Sequence, residues 1–198
     1  MPTTPVTATS SSPNGGAQEA IMLELVDEGG NTIGTAEKLA AHQPPGQLHR
    51  AFSVFLFDEQ GRLLIQRRAL GKYHSPGVWS NSCCGHPYPG EAPFAAAARR
   101  TYEELGISPK LLAEAGTVRY NHPDPGSGLV EHEYNHLFVG LPQATLRPNP
   151  AEIGDTAYVT PVELAERHRT APFSAWFMTV LDAARPAIRE LTGPAGGW

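Results

Sequence analysis

Two glutamates, Glu131 and Glu133, stand two residues apart in the apolar-rich run 129–140. On a strand such residues leave the same face, so their carboxylates can converge on one cation. A second set of charges lies on a segment of helical periodicity, 92–105, where Arg99, Arg100, Glu103 and Glu104 fall opposite Phe94 and Leu105. Taken alone, that is the pattern of a solvated face with i, i+4 ion pairs such as Arg99 to Glu103. Just before it, residues 75–87 mix Trp79, the adjacent Cys83 and Cys84, and His86. Strand alternation puts the two thiols on opposite faces and Cys84 with His86 on one, so only one thiol can face a site. The other has the ordinary reading of a small core hydrophobe. Arg67, Arg68 and Lys72 form a basic group in a chain whose net charge is −5. No general basic field exists to hold nucleic acid or an anionic membrane, so any anion must be bound locally.

These residues need a scaffold, and 198 residues with 40% hydrophobic content suffice for one domain with a real core. Gly 20 and Pro 19 imply many turns. The patterning predicts strands over 21–27, 50–57 and 62–68, the last two joined as a hairpin by the turn 58–61. A helix follows over 92–105, its apolar face formed by Phe94, Ala97, Ala98, Thr101 and Leu105, with Gly106 closing it. Strands over 117–121 and 129–140 come next, then helices over 161–168 and 174–191, the second containing Pro186. This order predicts an α/β (α+β) fold with a mixed β-sheet layered with helices. Residues 1–18 carry no charge and no apolar run and read as a disordered tail; 19–192 read as the single catalytic domain and 193–198 as a flexible end. No segment approaches the roughly 18 to 20 apolar residues of a membrane span. Two adjacent cysteines make no disulfide framework, so a cytoplasmic protein, monomer or weak dimer, is expected.

From Gly85 through Glu91 to Arg99-Arg-Thr-Tyr-Glu-Glu-Leu-Gly-Ile107, the register resembles the Nudix box, G-x5-E-x7-R-E-U-x-E-E-x-G-U, over all 23 residues. Arg100 stands where that family has its metal-binding, hydrolytic glutamate, and Thr101 replaces an aliphatic residue. The exchange removes a ligand and a base and supplies a cation able to grip a phosphate oxygen, which argues for diphosphate binding without hydrolysis. The preceding Trp79-Ser-Asn-Ser-Cys-Cys-Gly-His86 resembles a narrower, non-hydrolytic family on this fold, the type I isopentenyl-diphosphate isomerases. Further matching segments are Glu37-Lys-Leu-Ala-Ala-His42, Leu48-His49, Arg67-Arg-Ala-Leu-Gly-Lys72, Arg119-Tyr120, Glu131-His-Glu133 and Pro172-Phe-Ser-Ala-Trp176.

What the resemblance implies is an isomerase moving the double bond of isopentenyl diphosphate to give dimethylallyl diphosphate, in isoprenoid biosynthesis. Cys84 and Glu133 would carry the two proton transfers, in an order left open, with Tyr120 assisting. His42, His49, His86, Glu131 and Glu133 would hold one divalent ion, with Mn²⁺ favoured and Mg²⁺ or Zn²⁺ compatible with the same ligand types. Glu104 would hold Mg²⁺ with the substrate diphosphate, alongside Lys38, Arg68, Lys72 and Arg100, and Trp176 would shelter the carbocation. The small-molecule partner is a prenyl diphosphate. The alternatives are a Nudix hydrolase of a nucleoside or prenyl diphosphate, and a non-catalytic diphosphate-binding protein.

Overall fold

A computed structural model describes residues 20–72 and 74–198; the proposed N-terminal tail lies outside them. The strands are β1 (Met22–Val26), β2 (Thr32–Glu37), β3 (His49–Leu56), β4 (Leu63–Arg68), β5 (Trp79–Ser80), β6 (Cys83–Gly85), β7 (Pro109–Pro123), β8 (Val130–Pro142) and β9 (Ile153–Val159). The helices are α1 (Lys38–His42), α2 (Pro93–Leu105), α3 (Pro161–Thr170) and α4 (Phe177–Thr192). A six-stranded sheet runs β2-β1-β3-β8-β7. Here β3 lies parallel to β8 along one edge, while β1 and then β6 pair with its other edge. A three-stranded sheet, β5-β4-β9, completes the mixed α+β architecture.

Both faces of β3 are buried, as a central strand covered by helices requires. Phe52, Val54 and Leu56 pack with Ala96, Ala97 and Leu105 of α2. Phe55 packs with Phe177, Val180, Leu181 and Ala184 of α4 on the opposite side. The sheet is thus clamped between two helices, and the C-terminal half of one and the N-terminal end of the other border the same cavity.

Four expectations change. The turn at 58–61 forms, with Gly61 N–H donating to Asp58 O at 3.0 Å, but β3 and β4 touch only through the Phe57–Leu63 bridge and then enter different sheets. The turn chemistry is local; the choice of strand partner is decided by what each strand buries. In α2, Phe94 is 47% exposed and Glu104 only 4%. The buried stripe therefore runs through Ala97, Thr101, Glu104 and Leu105, rotated from the expected face because Glu104 has buried partners to meet. Strands β2 and β9 and the short α1 were not foreseen.

The last difference is the C-terminal end. Trp198 is 7% exposed, its indole N–H donates to Gly61 O at 2.8 Å, and its carbonyl accepts from Arg189 Nε at 2.6 Å. One satisfied aromatic anchors a segment whose Gly and Pro content reads as loose. Trp198→Ala should lower stability by roughly 3 kcal/mol, measured by urea denaturation; an unchanged midpoint would show that the anchor contributes nothing.

Candidate active site

Strand β8 supplies Glu131 and Glu133 on one face, and its parallel register with β3 sets His49 opposite Glu133. The antiparallel register with β7 brings Tyr120 opposite Glu133. Strand β6 lies along β3 with Cys84 facing Ser53, and the chain leaves it at Gly85 into His86. A side chain at 85 would press on the Phe52 ring at 3.2 Å, which is why glycine belongs there. Helix α1, capped by Glu37 through the Leu39 and Ala40 N–H groups, delivers His42 at its last position.

His42, His49, His86, Glu131 and Glu133 each present a ligand atom, and all five atoms lie within 4.8 Å of one another. Nδ1 of His42 donates to Lys38 O at 2.7 Å and Nδ1 of His49 to Gln47 O at 2.8 Å, which turns both Nε2 lone pairs inward. Burial pushes the His49 pKa down to about 4, with the neighbouring His42 adding to the shift. Burial and the charge of Lys38 push His86 well below its ordinary range. Neutral imidazoles are the form that binds metal. His42 Nε2 and Glu131 Oε2, both buried, face each other at 3.2 Å without a hydrogen bond between them. Two acceptors held that close, beside His49 and His86 with their Nε2 atoms 3.2 Å apart, fit a divalent cation.

The two carboxylates are arranged alike. Glu133 Oε2 accepts from Asn135 Nδ2 at 2.8 Å and from the Tyr120 hydroxyl, so Oε1 is the oxygen turned to His86 at 3.2 Å and His49 at 3.8 Å. Burial and the charge of Glu131 hold the Glu133 carboxyl well above its usual pKa. Burial, followed by the charge of Glu133, likewise raises Tyr120. At Glu131 burial acts upward, but the neighbouring His42 and His74 imidazoles outweigh it and keep that carboxyl low. The two carboxyls are thus pushed in opposite directions, Glu133 toward the protonated form and Glu131 toward the ionised one.

A cavity of about 390 Å³ opens onto this cluster. Cys84 and Trp176 line it, whereas Cys83 is fully buried in the core beneath α2. Burial raises the Cys84 pKa to about 11, so the group is a thiol at neutral pH. Lys38, Arg68, Lys72 and Arg100 line the same cavity. Arg68 is fixed by the carbonyls of His74 and Ser75, at 2.9 and 3.1 Å. Burial, with Lys72 next, lowers the Lys38 pKa, as expected where cations gather.

Glu104 reaches this basic end, where Oε1 pairs with Arg100 at 2.5 Å and Oε2 accepts from Gln66 at 2.9 Å. Glu152, not foreseen, pairs with both Lys72 and Arg100. Glu91 of the box instead grips Arg99 through bonds of 2.8 and 2.7 Å, and so fixes the start of α2. Asn135 was detectable, being the next same-face residue after Glu131 and Glu133 on β8. His74, Gln66 and Glu152 carried no local signal.

Residues 47–178 match the NUDIX domain family model. A protein of Deinococcus radiodurans superposes with a TM-score of 0.65 at 22% identity, over 82% of this chain and 98% of its own. The MutT protein from Methanosarcina mazei Go1 does so at 0.56 and 19%, over 71% and 94%. The fold and the box define a Nudix domain. The isopentenyl-diphosphate Delta-isomerase of Streptomyces griseus subsp. griseus is 84% identical over 198 residues, all of both chains. That of Nocardia farcinica is 45% identical over 173 residues, 86% of this chain and 98% of its own. The chain belongs to the isopentenyl-diphosphate Delta-isomerase family.

Proposed function

We propose that this cavity interconverts isopentenyl diphosphate and dimethylallyl diphosphate. The observation that carries the reading is that one cavity is lined both by four cations, Lys38, Arg68, Lys72 and Arg100, and by the Cys84 thiol, Trp176 and Glu133, whose carboxyl is held by Tyr120 and Asn135. Lys38, Arg68, Lys72 and Arg100 bind the diphosphate through charge-assisted hydrogen bonds and leave the five-carbon skeleton pointing inward. Glu152 and Glu104 hold Lys72 and Arg100 in place beforehand. Arg100, paired with Glu104 Oε1, would grip a phosphate oxygen, and Glu104 would hold Mg²⁺ accompanying the substrate.

Protonating the terminal methylene creates a tertiary cation at C3, and loss of a proton from C2 forms the product. We assign the two transfers to Cys84 and Glu133. Tyr120 orients the Glu133 carboxyl and passes protons to it. His42, His49, His86, Glu131 and Glu133 would hold a divalent ion, which would supply Lewis acidity there. Trp176, 5% exposed, offers the cation an aromatic face worth roughly 0.5–2 kcal/mol without an atom that would trap it.

Incubation with isopentenyl diphosphate in D₂O tests this directly. Deuterium should enter dimethylallyl diphosphate at the new methyl group, seen by NMR. Release of inorganic phosphate instead would make the protein a Nudix hydrolase, and binding without turnover would make it a diphosphate-binding protein.

A further inference from the structure

His74 has no place in the five-residue cluster, yet it lies 6% exposed against it. Its Nδ1 stands 2.9 Å from Glu131 Oε1, and its Nε2 stands 3.2 Å from Asp124 Oδ2. Asp124 is itself secured: Oδ2 accepts from Ser127 Oγ at 2.6 Å and from Ser75 Oγ at 3.1 Å, and Oδ1 from Gly126 N–H at 3.3 Å. Ser75 holds a left-handed backbone, φ 45°, which is costly for a residue with a Cβ and is the turn that carries His74 inward. The result is a chain of contacts from Asp124 through His74 to Glu131 Oε1, leaving Oε2 as the oxygen that faces His42 Nε2.

We propose that His74, whose turn is held by the Ser75–Asp124 hydrogen bond, is a positioning residue that sets which Glu131 oxygen meets the divalent ion. It does for Glu131 what Asn135 and Tyr120 do for Glu133: it occupies one oxygen with a donor and so presents the other. Without it, the Glu131 carboxylate is free to rotate, and binding a cation must then include the cost of ordering it. The inference rests on the reading of the five-residue cluster as a cation site.

The test is Mn²⁺ titration of the metal-stripped full chain, with the free ion counted by electron paramagnetic resonance. His74→Ala should weaken Mn²⁺ binding by roughly 10- to 100-fold. His74→Asn should recover most of that loss, because its amide N–H replaces the Nδ1 donor while leaving out the ring that packs 5.9 Å from Trp176. Wild-type affinity in His74→Ala would overturn the proposal, and so would failure of His74→Asn to recover, since packing rather than the hydrogen bond would then matter. Should His74→Ala not fold by circular dichroism, Asp124→Asn decides: weaker Mn²⁺ binding supports the role, unchanged binding removes it. Absence of Mn²⁺ binding in the wild type would instead overturn the cation-site reading itself.

Discussion

Cys84→Ala should bind isopentenyl diphosphate with near wild-type KM and lose turnover by about 10²- to 10⁴-fold, the usual worth of a positioned proton-transfer group. Cys83→Ala, one residue away, should keep kcat within a few fold. The contrast follows from β6. Alternation sends the Cys84 side chain into the cavity and that of Cys83 into a fully buried site among Phe52, Val54 and Ala97. Cys83→Ala removes a small buried group and should therefore appear as lost stability, about 1–2 kcal/mol, rather than lost chemistry. Binding should survive in Cys84→Ala because Lys38, Arg68, Lys72 and Arg100 are untouched and the diphosphate carries most of the recognisable charge. Steady-state kinetics and proton exchange in D₂O, run on both variants, give the answer. Equal losses of kcat in the two, with both folded, would remove Cys84 from the mechanism.

The parts of the site that sequence exposes are those governed by local rules. Residues 131 and 133 share a face because strands repeat every two residues, and Cys83 and Cys84 diverge for the same reason. The α2 segment is legible from its spacing and its closing glycine: Gly106 at φ 68° lies so close to Arg147 O that a Cβ would come within 2.6 Å. What sequence hides is assembled by tertiary contact. Gln66 reaches Glu104 across 38 residues and Ser75 reaches Asp124 across 49, with no periodicity to connect them. Helix α1 is five residues long, too short to show an amphipathic period, although it delivers both Lys38 and His42. Strand β9 groups Gly154, Asp155 and Thr156 together and is largely part-exposed, so a regular alternation of apolar and polar residues is absent. His42, His49 and His86 could be grouped only through the family resemblance, since the fold alone brings a helix end, a strand start and a loop to one point.

This division of labour also explains how a Nudix scaffold can serve without hydrolysis. The box helix still carries a carboxylate, Glu104, into the cavity, but Arg100 pairs with it there and, in the proposed reading, offers its guanidinium to the phosphate. In the proposed reading the chemistry falls to groups contributed by α1, β3, β6, β7 and β8, where burial lowers the His49 and His86 pKa values and raises that of Glu133. Anchoring and proton transfer thereby depend on different residues, so they should be separable by mutation.

Glu133→Gln is the sharpest case of that separation and should lower kcat by 10³-fold or more, because one change removes two functions. The carboxyl is buried, its pKa raised by that burial and by Glu131, and its Oε2 takes the Tyr120 hydroxyl and the Asn135 amide. Glutamine has nearly the same volume, so the cavity should not collapse, but it can neither carry the transferred proton nor contribute negative charge to a cation beside His49 and His86. Tyr120→Phe removes only the orienting hydroxyl and should cost less, about 10- to 100-fold in kcat. Both variants should retain KM within several fold, since the cationic end is unchanged. Rapid-quench measurement of the first turnover separates the chemical step from product release. If Glu133→Gln turns over at a rate comparable to Tyr120→Phe, Glu133 only supports the hydroxyl, and the proton must travel through Tyr120 by another route.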